Sequence, residues 1–406
     1  MSRPLEGVRV VDFTHVMAGP FCTYFLALLG AEVIKVEPAA GDLFRSYGGD
    51  RHGFGMGAVF IGANAGKQSI ALDLRQDAAK EVVRRLVAQA DIVVESFRPG
   101  VIDKLGFGYE ACTALKRDII YCSVSGYGQA GPMRDYPAID NVIQATSGMM
   151  SVNGNDGDPP SRVGVPAVDT YTATLSALAV LAAFVQRQRF GTGQRIDVAM
   201  MDASLLFLYG SSITYLIDGV VPRRTGNVGF SGQPTAGLFS ARDGKQLSIG
   251  AVQQSQFEAL SRCLGHAEWI SDPRFTTVPL RRENAAALTA LLHAAFQARA
   301  GEEWETVLSA AGVPCGLIRD VGAALELPQV RARSLVQRVH PPGGAPDAAE
   351  LQVLNAGFDF AHDGPRVTGP PPRLGESTRA VLESLGYGFD EIDRMLKSGA
   401  AITTDG

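Results

Sequence analysis

Blocks of apolar and polar residues alternate along the first 130 residues and predict strands and helices in turn. The mainly apolar run Val8–Phe13 suits a strand buried on both faces, and Glu32–Glu37 resumes such a strand. Between them, Pro20 suits the first turn of a helix and Gly30 suits its end. The order strand, helix, strand predicts a βαβ unit of the size that usually binds a nucleotide.

The same alternation continues through the N-terminal half. Further strands are predicted at Gln68–Leu74, Asp91–Phe97, Asp118–Ser125 and Gln194–Ala199, and helices at Asp77–Gln89, Asp169–Arg187 and Met201–Ile217. Alternation of this kind implies a parallel sheet with helices on its faces. We therefore predict an α/β fold with a Rossmann-like large domain.

The pattern changes near Thr225, where a glycine-rich segment, Thr225–Gly237, begins. A hairpin is predicted over Leu238–Val252, with Gly244 near its turn. Helices are then predicted around Gln256–Leu264, Asn284–Ala298, Glu302–Ala311 and Ser377–Leu385. We predict a large α/β domain over 1–225, a small α+β domain over 226–324, and a C-terminal segment, 325–406, that returns to the large domain.

Composition narrows the class of protein. Hydrophobic residues make up 46% of the 406 and charged residues 19%, as in globular proteins, and a net charge of −5 gives no electrostatic reason to expect nucleic acid. Five cysteines without C-x-x-C spacing argue against zinc or disulfides and suit a reducing cytosol. The apolar run Ala173–Val185 is short for a membrane span, and the N-terminus has no apolar signal core. We expect a cytoplasmic protein that needs no membrane.

The loop after the first strand argues against a dinucleotide cofactor. Where a dinucleotide fold has G-x-G-x-x-G, Thr14, His15 and Met17 carry side chains. The chain also lacks G-x-S-x-G, H-E-x-x-H and Walker motifs, and its six histidines do not cluster. Triad hydrolysis and metal hydrolysis therefore have little support, and we expect no metal.

A dozen strings in order resemble one known family. They include DFTHVMAGP, LGAEVIKVEP, NAGKQSIALDL, ADIVVESFRPGVIDKLGFGYE, IIYCSVSGYGQAGP, VGVPAVD, GTGQRIDVAMMDA, GNVGFSGQP and AGVPCGLI. The chain resembles the class III CoA-transferases of the CaiB/BaiF type, the group of formyl-CoA transferase and carnitine CoA-transferase. This resemblance implies interlocked homodimers that use coenzyme A and acyl-CoA as substrates, with no tightly bound cofactor.

The resemblance assigns the central chemistry to Asp169 in VGVPAVD. The family's aspartate attacks an acyl-CoA thioester, so anhydride and aspartyl-CoA thioester intermediates are implied. From the sequence alone, Asp169 is equally a favoured helix N-cap, and a helix N-terminus would keep its carboxylate ionised. The family usually has glycine where Ala173 stands. The resemblance also implies that the segment around Gly229, Gly232 and Gln233 is a lid over the aspartate. Glycines suit such a lid because its backbone must change conformation.

Other positions are candidates for binding CoA. Basic groups suit its phosphates and apolar groups its pantetheine arm and adenine. The candidates are Arg75, Arg98 and Lys104 as the cations, Leu72, Phe97, Ile102 and Leu105 as the wall, and His15, Val16, Ala18, Ile139 and Met200 from the resemblance. Pro38 replaces a family arginine that helps to bind adenine.

Two departures from the family limit the substrate. Met17 replaces a glutamine beside oxalate, and its thioether cannot make that amide's hydrogen bonds, so formyl–oxalate exchange is not expected. Ile139 precedes Asp140 where the family's 2-methylacyl-CoA racemases have a proton-carrying histidine. The segment LSIGAVQQSQFEALSRCLG, a predicted hairpin strand and helix, looks closer to members that use succinyl-CoA and dicarboxylate acceptors. Arg45 and Arg162 are candidate partners for the distal carboxylate of such an acid.

We therefore predict a CoA-transferase that moves CoA from an acyl-CoA, for instance succinyl-CoA, to a carboxylic acid. Three alternatives remain open from the sequence. They are a racemase of the same family, a dinucleotide-dependent oxidoreductase, and a CoA-binding protein without activity.

Overall fold

The computed structural model of the chain describes residues 2–51, 54–229, 231–342 and 350–404. Its strands are β1 (Arg9–Phe13), β2 (Glu32–Glu37), β3 (Gln68–Leu72), β4 (Ile92–Glu95), β5 (Ile120–Ser125), β6 (Gln194–Ala199), β7 (Ala236–Ser240), β8 (Gln246–Gly250), β9 (Cys315–Leu317), β10 (Val336–Val339), β11 (Leu351–Leu354) and β12 (Ala401–Ile402). Its helices are α1 (Ala18–Leu28), α2 (Ala58–Asn64), α3 (Asp77–Gln89), α4 (Val101–Leu105), α5 (Tyr109–Leu115), α6 (Asp140–Thr146), α7 (Met149–Val152), α8 (Ala167–Phe190), α9 (Met200–Phe207), α10 (Tyr209–Asp218), α11 (Gln254–Cys263), α12 (Val278–Glu283), α13 (Ala285–Phe296), α14 (Gly301–Ala310), α15 (Val321–Leu325), α16 (Pro328–Ala332), α17 (Thr378–Ser384) and α18 (Phe389–Lys397).

The chain divides into two compact units. The first comprises Met1–Met149, Arg162–Val221 and Pro328–Gly406, and the second comprises Met150–Ser161 and Pro222–Leu327. These borders lie within a few residues of the predicted ones at 225 and 324, except that 150–161 joins the second unit. A backbone hydrogen bond of 3.0 Å from the N–H of Gly226 to the carbonyl of Gly154 helps to hold that segment there. The periodicity of hydrophobic residues along the chain does not predict such a contact between distant segments.

A seven-stranded sheet organises the first unit. Its order is β12-β3-β2-β1-β4-β5-β6, and every pair of neighbours is parallel except the edge pair of β12 with β3. The predicted parallel sheet is confirmed. Strand order reverses between β1 and β4, because the chain winds outward from β1 to β3 and then returns to β4. In open α/β sheets such a reversal leaves a crevice at the carboxyl ends of the strands, where ligands bind.

Apolar side chains cover both faces of this sheet. On one face, Val11 and Phe13 of β1 pack into a buried cluster with Val82 and Leu86 of α3. On the other face, Val10 belongs to a second cluster that includes Leu26 of α1 and Val180 of α8. The doubly covered strand explains why β1 is predominantly apolar rather than strictly alternating.

Two predicted helices differ from the observed ones. The helix predicted over Met201–Ile217 is broken at Leu208 into α9 and α10, which meet at 80°. Gly210 and two serines follow the break, and such residues favour a kink over a continuous helix. The helix predicted to begin at Asp169 begins two residues earlier, at Ala167, and continues to Phe190.

Helix α8 has the length and hydropathy of a membrane span. One stripe of it, including Ala173, Ala177 and Val180, is buried. The opposite side exposes Leu178, Val185 and Phe190. One face of α8 therefore packs into the first unit, whereas the other is exposed.

The second unit is built on a three-stranded antiparallel sheet of order β7-β8-β9. The predicted hairpin is present as β7 and β8, and Gly244 adopts a φ of 78° in the connection. Helices α11, α13 and α14 contribute to the core, in which the Trp304 indole N–H donates to the carbonyl of Phe296 at 2.8 Å. This unit has its own hydrophobic core, as a small α+β domain requires.

Buried ion pairs lie at the carboxyl ends of β1 and β2 in the first unit. The side chains of Lys35 and Asp42 are fully buried, with Nζ and Oδ2 3.0 Å apart, and those of Lys67 and Asp12 are equally buried at 3.2 Å. Arg45 adds a third pair by contacting Glu37 at 2.6 Å. Three cations thus face three anions, and the cluster as a whole is neutral.

Hydrogen bonds tie this cluster to the surrounding backbone. Lys35 donates to the carbonyl of Thr14 at 2.6 Å, and Lys67 donates to the carbonyl of Pro20 at 2.8 Å. Burial by itself would raise the pKa of Asp12, but Lys67 and Lys35 lower it to about 2. Because partners satisfy these charges, the cluster can be buried without a prohibitive desolvation penalty.

Replacing Lys35 with methionine should strongly destabilise the first unit. The change leaves the Asp42 carboxylate buried without its cation, and breaking a buried pair in this way typically costs about 3–5 kcal/mol. Chemical denaturation measures the loss. Arg9→Met is the control, because its partly exposed pair with Glu32 should contribute only about 0–1 kcal/mol. Equal and small losses in the two variants would show that the buried pair is not a structural requirement.

Candidate active site

A cavity of about 200 Å³ lies where the strand order reverses in the first unit. Its walls come from residues that follow β1, β4 and β5 and from the first turns of α1, α6, α8 and α9. Gly126 allows this close approach after β5, because a Cβ there would lie 2.2 Å from the Cβ of Ala138. The sheet topology thus determines where the cavity forms.

The loop after β1 is held in a strained conformation. Val16 has a φ of 70°, which a β-branched residue rarely adopts. Its N–H donates to Asp42 Oδ1 at 3.1 Å, and the N–H of His15 donates to Ser96 Oγ at 2.9 Å. Since Asp42 belongs to the buried ion cluster, that cluster helps to fix the wall of the cavity. Strain maintained by surrounding contacts is typical of functional sites.

His15 contributes an imidazole to the same wall. Its ring lies edge-on to Phe97 with centroids 5.1 Å apart. Burial lowers the pKa of His15, and the nearby Lys35 acts in the same direction. The imidazole is therefore neutral at pH 7 and offers a hydrogen-bonding group rather than a charge.

Asp140 caps the helix that carries Asp169. Its Oδ2 accepts the backbone N–H groups of Val168 at 2.9 Å and of Asp169 at 3.1 Å. Asp169 is the third residue of α8, so its predicted position as the N-cap is wrong by three residues, and Pro166 occupies that place. The capping carboxylate comes from α6, and local sequence rules for caps could not identify it.

The environment makes Asp169 reluctant to ionise. Burial raises the pKa of Asp169, and the charge of Asp140 raises it further, to about 7. We expected the helix N-terminus to keep this carboxylate ionised, but desolvation and a like charge outweigh that effect. At neutral pH Asp169 is therefore divided between its protonated form and its carboxylate form.

The rest of the cavity suits an anionic ligand. Four helices begin at its wall, and the N-terminus of a helix carries partial positive charge. Arg98 and Arg134 add two guanidinium groups, and Arg134 has only a partly exposed contact of 3.5 Å with Asp135. A negatively charged ligand can therefore enter a site that already holds two carboxylates.

Most of the predicted first-unit site residues line this one cavity. They are His15, Val16, Met17, Ala18, Phe97, Arg98, Ile139, Asp140, Asp169 and Met200. These residues span 186 positions of the chain, from 15 to 200, and the sheet topology brings them together.

Other candidates lie elsewhere. Leu72 is only 1% exposed and Ile102 only 4%, so these core residues offer a ligand no surface. Leu105 packs against the same core, and Lys104 is exposed outside the cavity lining. The Arg75 side chain is 88% exposed and is paired with Asp73. These residues were predicted to bind CoA because the sequence indicates strand ends and positive charges but does not show which side chains are buried.

The predicted lid residues belong to the second unit. Gly232 and Gln233 line a separate cavity of about 480 Å³ in that unit, and Gly229 accepts a hydrogen bond from the N–H of Gly232 at 2.8 Å. Gly232 has a φ of 63°, which favours glycine. Phe230, within the predicted segment, lies outside the described residues.

The two arginines suggested for a distal carboxylate are not in the cavity. Arg45 is buried and donates to both carboxylate oxygens of Glu37, at 2.8 and 2.6 Å. Arg162 is exposed and does not line the cavity. Arg45 is therefore a structural cation.

Sequence reasoning missed several cavity residues, namely Ser96, Ser125, Gly126, Arg134 and Tyr136. Ser125 is the last residue of β5, and the others follow the carboxyl end of β4 or β5. The rule that ligands bind beyond such strand ends, applied to the long loop after β5, would have found them.

Within the described ranges no group of three histidine, cysteine or acidic residues could hold a metal ion. The fold and the cavity together define an α/β protein in which the carboxyl groups of Asp140 and Asp169 line a cavity at the carboxyl ends of parallel strands. The chain belongs to CoA-transferase family III, whose family model matches residues 5–378.

Known relatives support this membership over nearly the full length. The chain is 36% identical over 386 residues to the acetyl-CoA:oxalate CoA-transferase of Acetobacter aceti, covering 93% of this chain and 95% of that protein. It is 35% identical over 400 residues to the succinyl-CoA:glutarate CoA-transferase of Mus musculus, covering 98% and 90%. A solved structure of a CAIB/BAIF family protein from Brucella suis matches with a TM-score of 0.84 at 34% identity, covering 95% and 100%. The protein is a CoA-transferase that acts on acyl-CoA and carboxylate substrates.

Asp169→Asn should make the protein more stable above neutral pH. The folded-state pKa of Asp169, about 7, lies above the ordinary aspartate value of 3.8, so the folded state binds more protons between these values and stability falls as pH rises through them. Asparagine removes this dependence, and its stability advantage should grow by up to about 2.5 kcal/mol from pH 5 to pH 8. Urea unfolding at both pH values measures it, with Asp202→Asn as the exposed control. An advantage independent of pH would contradict the raised pKa.

Proposed function

We propose that Asp169 is the covalent nucleophile through which this enzyme transfers CoA from an acyl-CoA to a carboxylic acid. The observation that carries the proposal is the position of Asp169, at the start of α8 inside the cavity that the sheet topology creates. The pKa of about 7 supports it, because a carboxylate that is poorly stabilised as an anion is a better nucleophile when it does ionise.

The proposed reaction needs only the acyl-CoA, the acceptor acid and Asp169. An oxygen of Asp169 attacks the thioester carbon, the carbon–sulfur bond breaks, and CoA thiolate leaves with the bonding electrons, giving a mixed anhydride. The thiolate then attacks the aspartyl carbonyl carbon, which releases the donor acid and forms an aspartyl-CoA thioester. The acceptor carboxylate displaces the thiolate to form a second anhydride. Thiolate attack on the acceptor's acyl carbon yields the new thioester and frees Asp169.

The residues of the cavity wall favour this series of reaction steps. Negative charge develops on the attacked carbonyl oxygen, and converging helix N-termini stabilise charge of that sign. The neutral His15 supplies a hydrogen-bonding group at the same wall. Asp140 raises the energy of ionised Asp169, and this repulsion disappears when the carboxylate becomes an uncharged acyl derivative.

Asp169→Ala should abolish transfer, because it removes the reacting group and leaves the helix cap at Asp140 in place. Incubation of the wild type with acyl-CoA and then hydroxylamine should modify Asp169, as peptide mass spectrometry would detect. Asp202→Ala is the matched control. Wild-type turnover by Asp169→Ala would falsify the nucleophile assignment.

We propose further that the acids exchanged are dicarboxylic, with succinyl-CoA as one donor. The names of two relatives specify oxalate and glutarate, both dicarboxylic acids. Arg134 lines the cavity with Asp169, and its weak contact with Asp135 leaves the guanidinium able to pair with a distal carboxylate. Met17 is also in the wall, where its thioether offers no amide to oxalate.

Arg134→Ala should lower kcat/KM for succinyl-CoA about 10- to 150-fold, the equivalent of one charged hydrogen bond. For butyryl-CoA, which lacks the distal carboxylate, kcat/KM should change little. Arg162→Ala is the matched control from outside the cavity. An equal loss with both thioesters would assign Arg134 to CoA and not to the acyl carboxylate.

The glycine segment around Gly232 is proposed as the lid that excludes water from the anhydride. Its support is the resemblance together with the positive φ of Gly232, which lets the backbone adopt conformations that other residues resist. A Cβ at Gly232 would meet no atom of the described residues within 4 Å, so Gly232→Ala chiefly restricts the backbone. The variant should raise the ratio of acyl-CoA hydrolysis to transfer, and an unchanged ratio would make the segment a linker.

A homodimer, interlocked as the resemblance implies, is part of the proposal. Helix α10 has no buried residue, although it carries Tyr215, Leu216 and Ile217. Exposed apolar surface of this kind marks an association site. Light scattering should give twice the 43.0 kDa chain mass, and Leu216→Asp should shift the species toward the monomer.

The racemase alternative has less support. Ile139 is in the cavity wall directly before Asp140, 63% exposed and unable to carry a proton. A dinucleotide oxidoreductase is disfavoured by the side chains of His15 and Met17, which occupy the turn that a pyrophosphate needs free.

A further inference from the structure

A buried glutamine on α6 lies behind the two carboxylates of the active site. Gln144 is 0% exposed and does not line the cavity. Its Nε2 donates to Asp140 Oδ1 at 2.6 Å, and its Oε1 accepts the backbone N–H of Val163 at 2.9 Å. The same amide nitrogen lies 3.4 Å from the carbonyl of Val165.

These contacts join three parts of the chain that meet at the nucleophile. Gln144 and Asp140 lie on successive turns of α6, while residues 163–165 lead into α8. The other oxygen of Asp140 accepts the N–H groups of Val168 and Asp169. One side-chain amide therefore holds both the capping carboxylate and the segment that delivers Asp169.

We propose that Gln144 is a positioning residue, whose amide fixes Asp140 against the first turn of α8 and thereby sets the orientation and the ionisation of Asp169. The inference rests on the proposed function of Asp169. It adds a residue that touches neither substrate nor the reacting atoms.

The chemistry of the amide explains why glutamine suits this place. Its nitrogen donates to Asp140 while its oxygen accepts from Val163, and a carboxylate of the same shape would oppose an oxygen to Asp140 Oδ1. Methionine has similar length and can make neither bond. Without the amide, the Asp140 carboxylate can turn away from the first turn of α8, and this change reduces the negative charge that Asp169 faces.

Other ionisable groups also face Asp169 across the cavity. They are His15 after β1, Arg98 after β4, and Arg134 and Tyr136 before α6. None of them contacts Gln144 among the described hydrogen bonds, so a change at Gln144 acts on Asp169 through Asp140 and the start of α8.

The test is the pH dependence of acyl-enzyme formation in Gln144→Met, with the adduct trapped by hydroxylamine. The midpoint should fall from about 7 by half a unit or more, since Asp169 loses a like charge. The maximal rate should fall about tenfold through misplacement, while KM for acyl-CoA should stay within about twofold because Gln144 lies outside the cavity lining. Val180→Ala, from the buried stripe of α8, is the control for general loss of stability.

A double-mutant cycle identifies the route of the effect. In an Asp140→Asn background, Gln144→Met should no longer move the midpoint, because the charge through which it acts is gone. An unchanged midpoint in the single variant, or a shift that persists in the Asp140→Asn background, would overturn the inference. If the wild type forms no trapped adduct, the nucleophile proposal fails instead. The inference is then decided by carbon-13 NMR titration of the Asp169 carboxyl in the same variants, assigned by difference with Asp169→Asn.

Discussion

The buried pair of Lys35 and Asp42 is the interaction on which the first wall of the active site depends. Lys35 reaches from β2 to the carbonyl of Thr14, and Asp42 accepts the N–H of Val16. Both bonds act on the loop after β1, which would otherwise relax from the positive φ of Val16. The buried pair of Lys35 and Asp42 therefore holds the backbone of this loop in the shape that the cavity needs.

Two aspartates of this unit show how environment divides the roles of one side chain. Asp12 and Asp169 are both removed from water, which raises the pKa of each. Two lysines face Asp12 and bring its pKa to about 2, whereas a second carboxylate faces Asp169 and takes its pKa to about 7. Carboxyl groups whose pKa values are separated in this way can take different roles, and in the proposed mechanism Asp12 is the structural anion and Asp169 the reactive group.

Sequence patterns predict many of the helices and strands of this unit, whereas parts of the active site depend on contacts between distant residues. Helix α3 and strand β6 were predicted with their observed bounds, because local periodicity and flanking signals define them. The cap of α8 was not, because it comes from Asp140, 29 positions away from Asp169. That Arg75 and Leu72 lie outside the cavity was not visible either, because neither charge nor hydrophobicity reveals whether a residue is exposed in the folded chain. Met17 and Asp169 were matched to one site through a resemblance, since no spacing rule connects residues so distant.

Asp169 and Arg134 reach the cavity from elements of different rigidity. Asp169 lies in the first turn of a 24-residue helix, whose buried face is packed into the unit. A nucleophile must be held to within a fraction of an ångström, and such a helix can do this. Arg134, in contrast, lies on the loop between β5 and α6, which can change in length and sequence without disturbing the sheet. In the proposed mechanism the covalent chemistry therefore belongs to the helix that carries Asp169, whereas the choice of acid belongs to the loop that carries Arg134. Relatives whose names specify acids as different as oxalate and glutarate fit that separation.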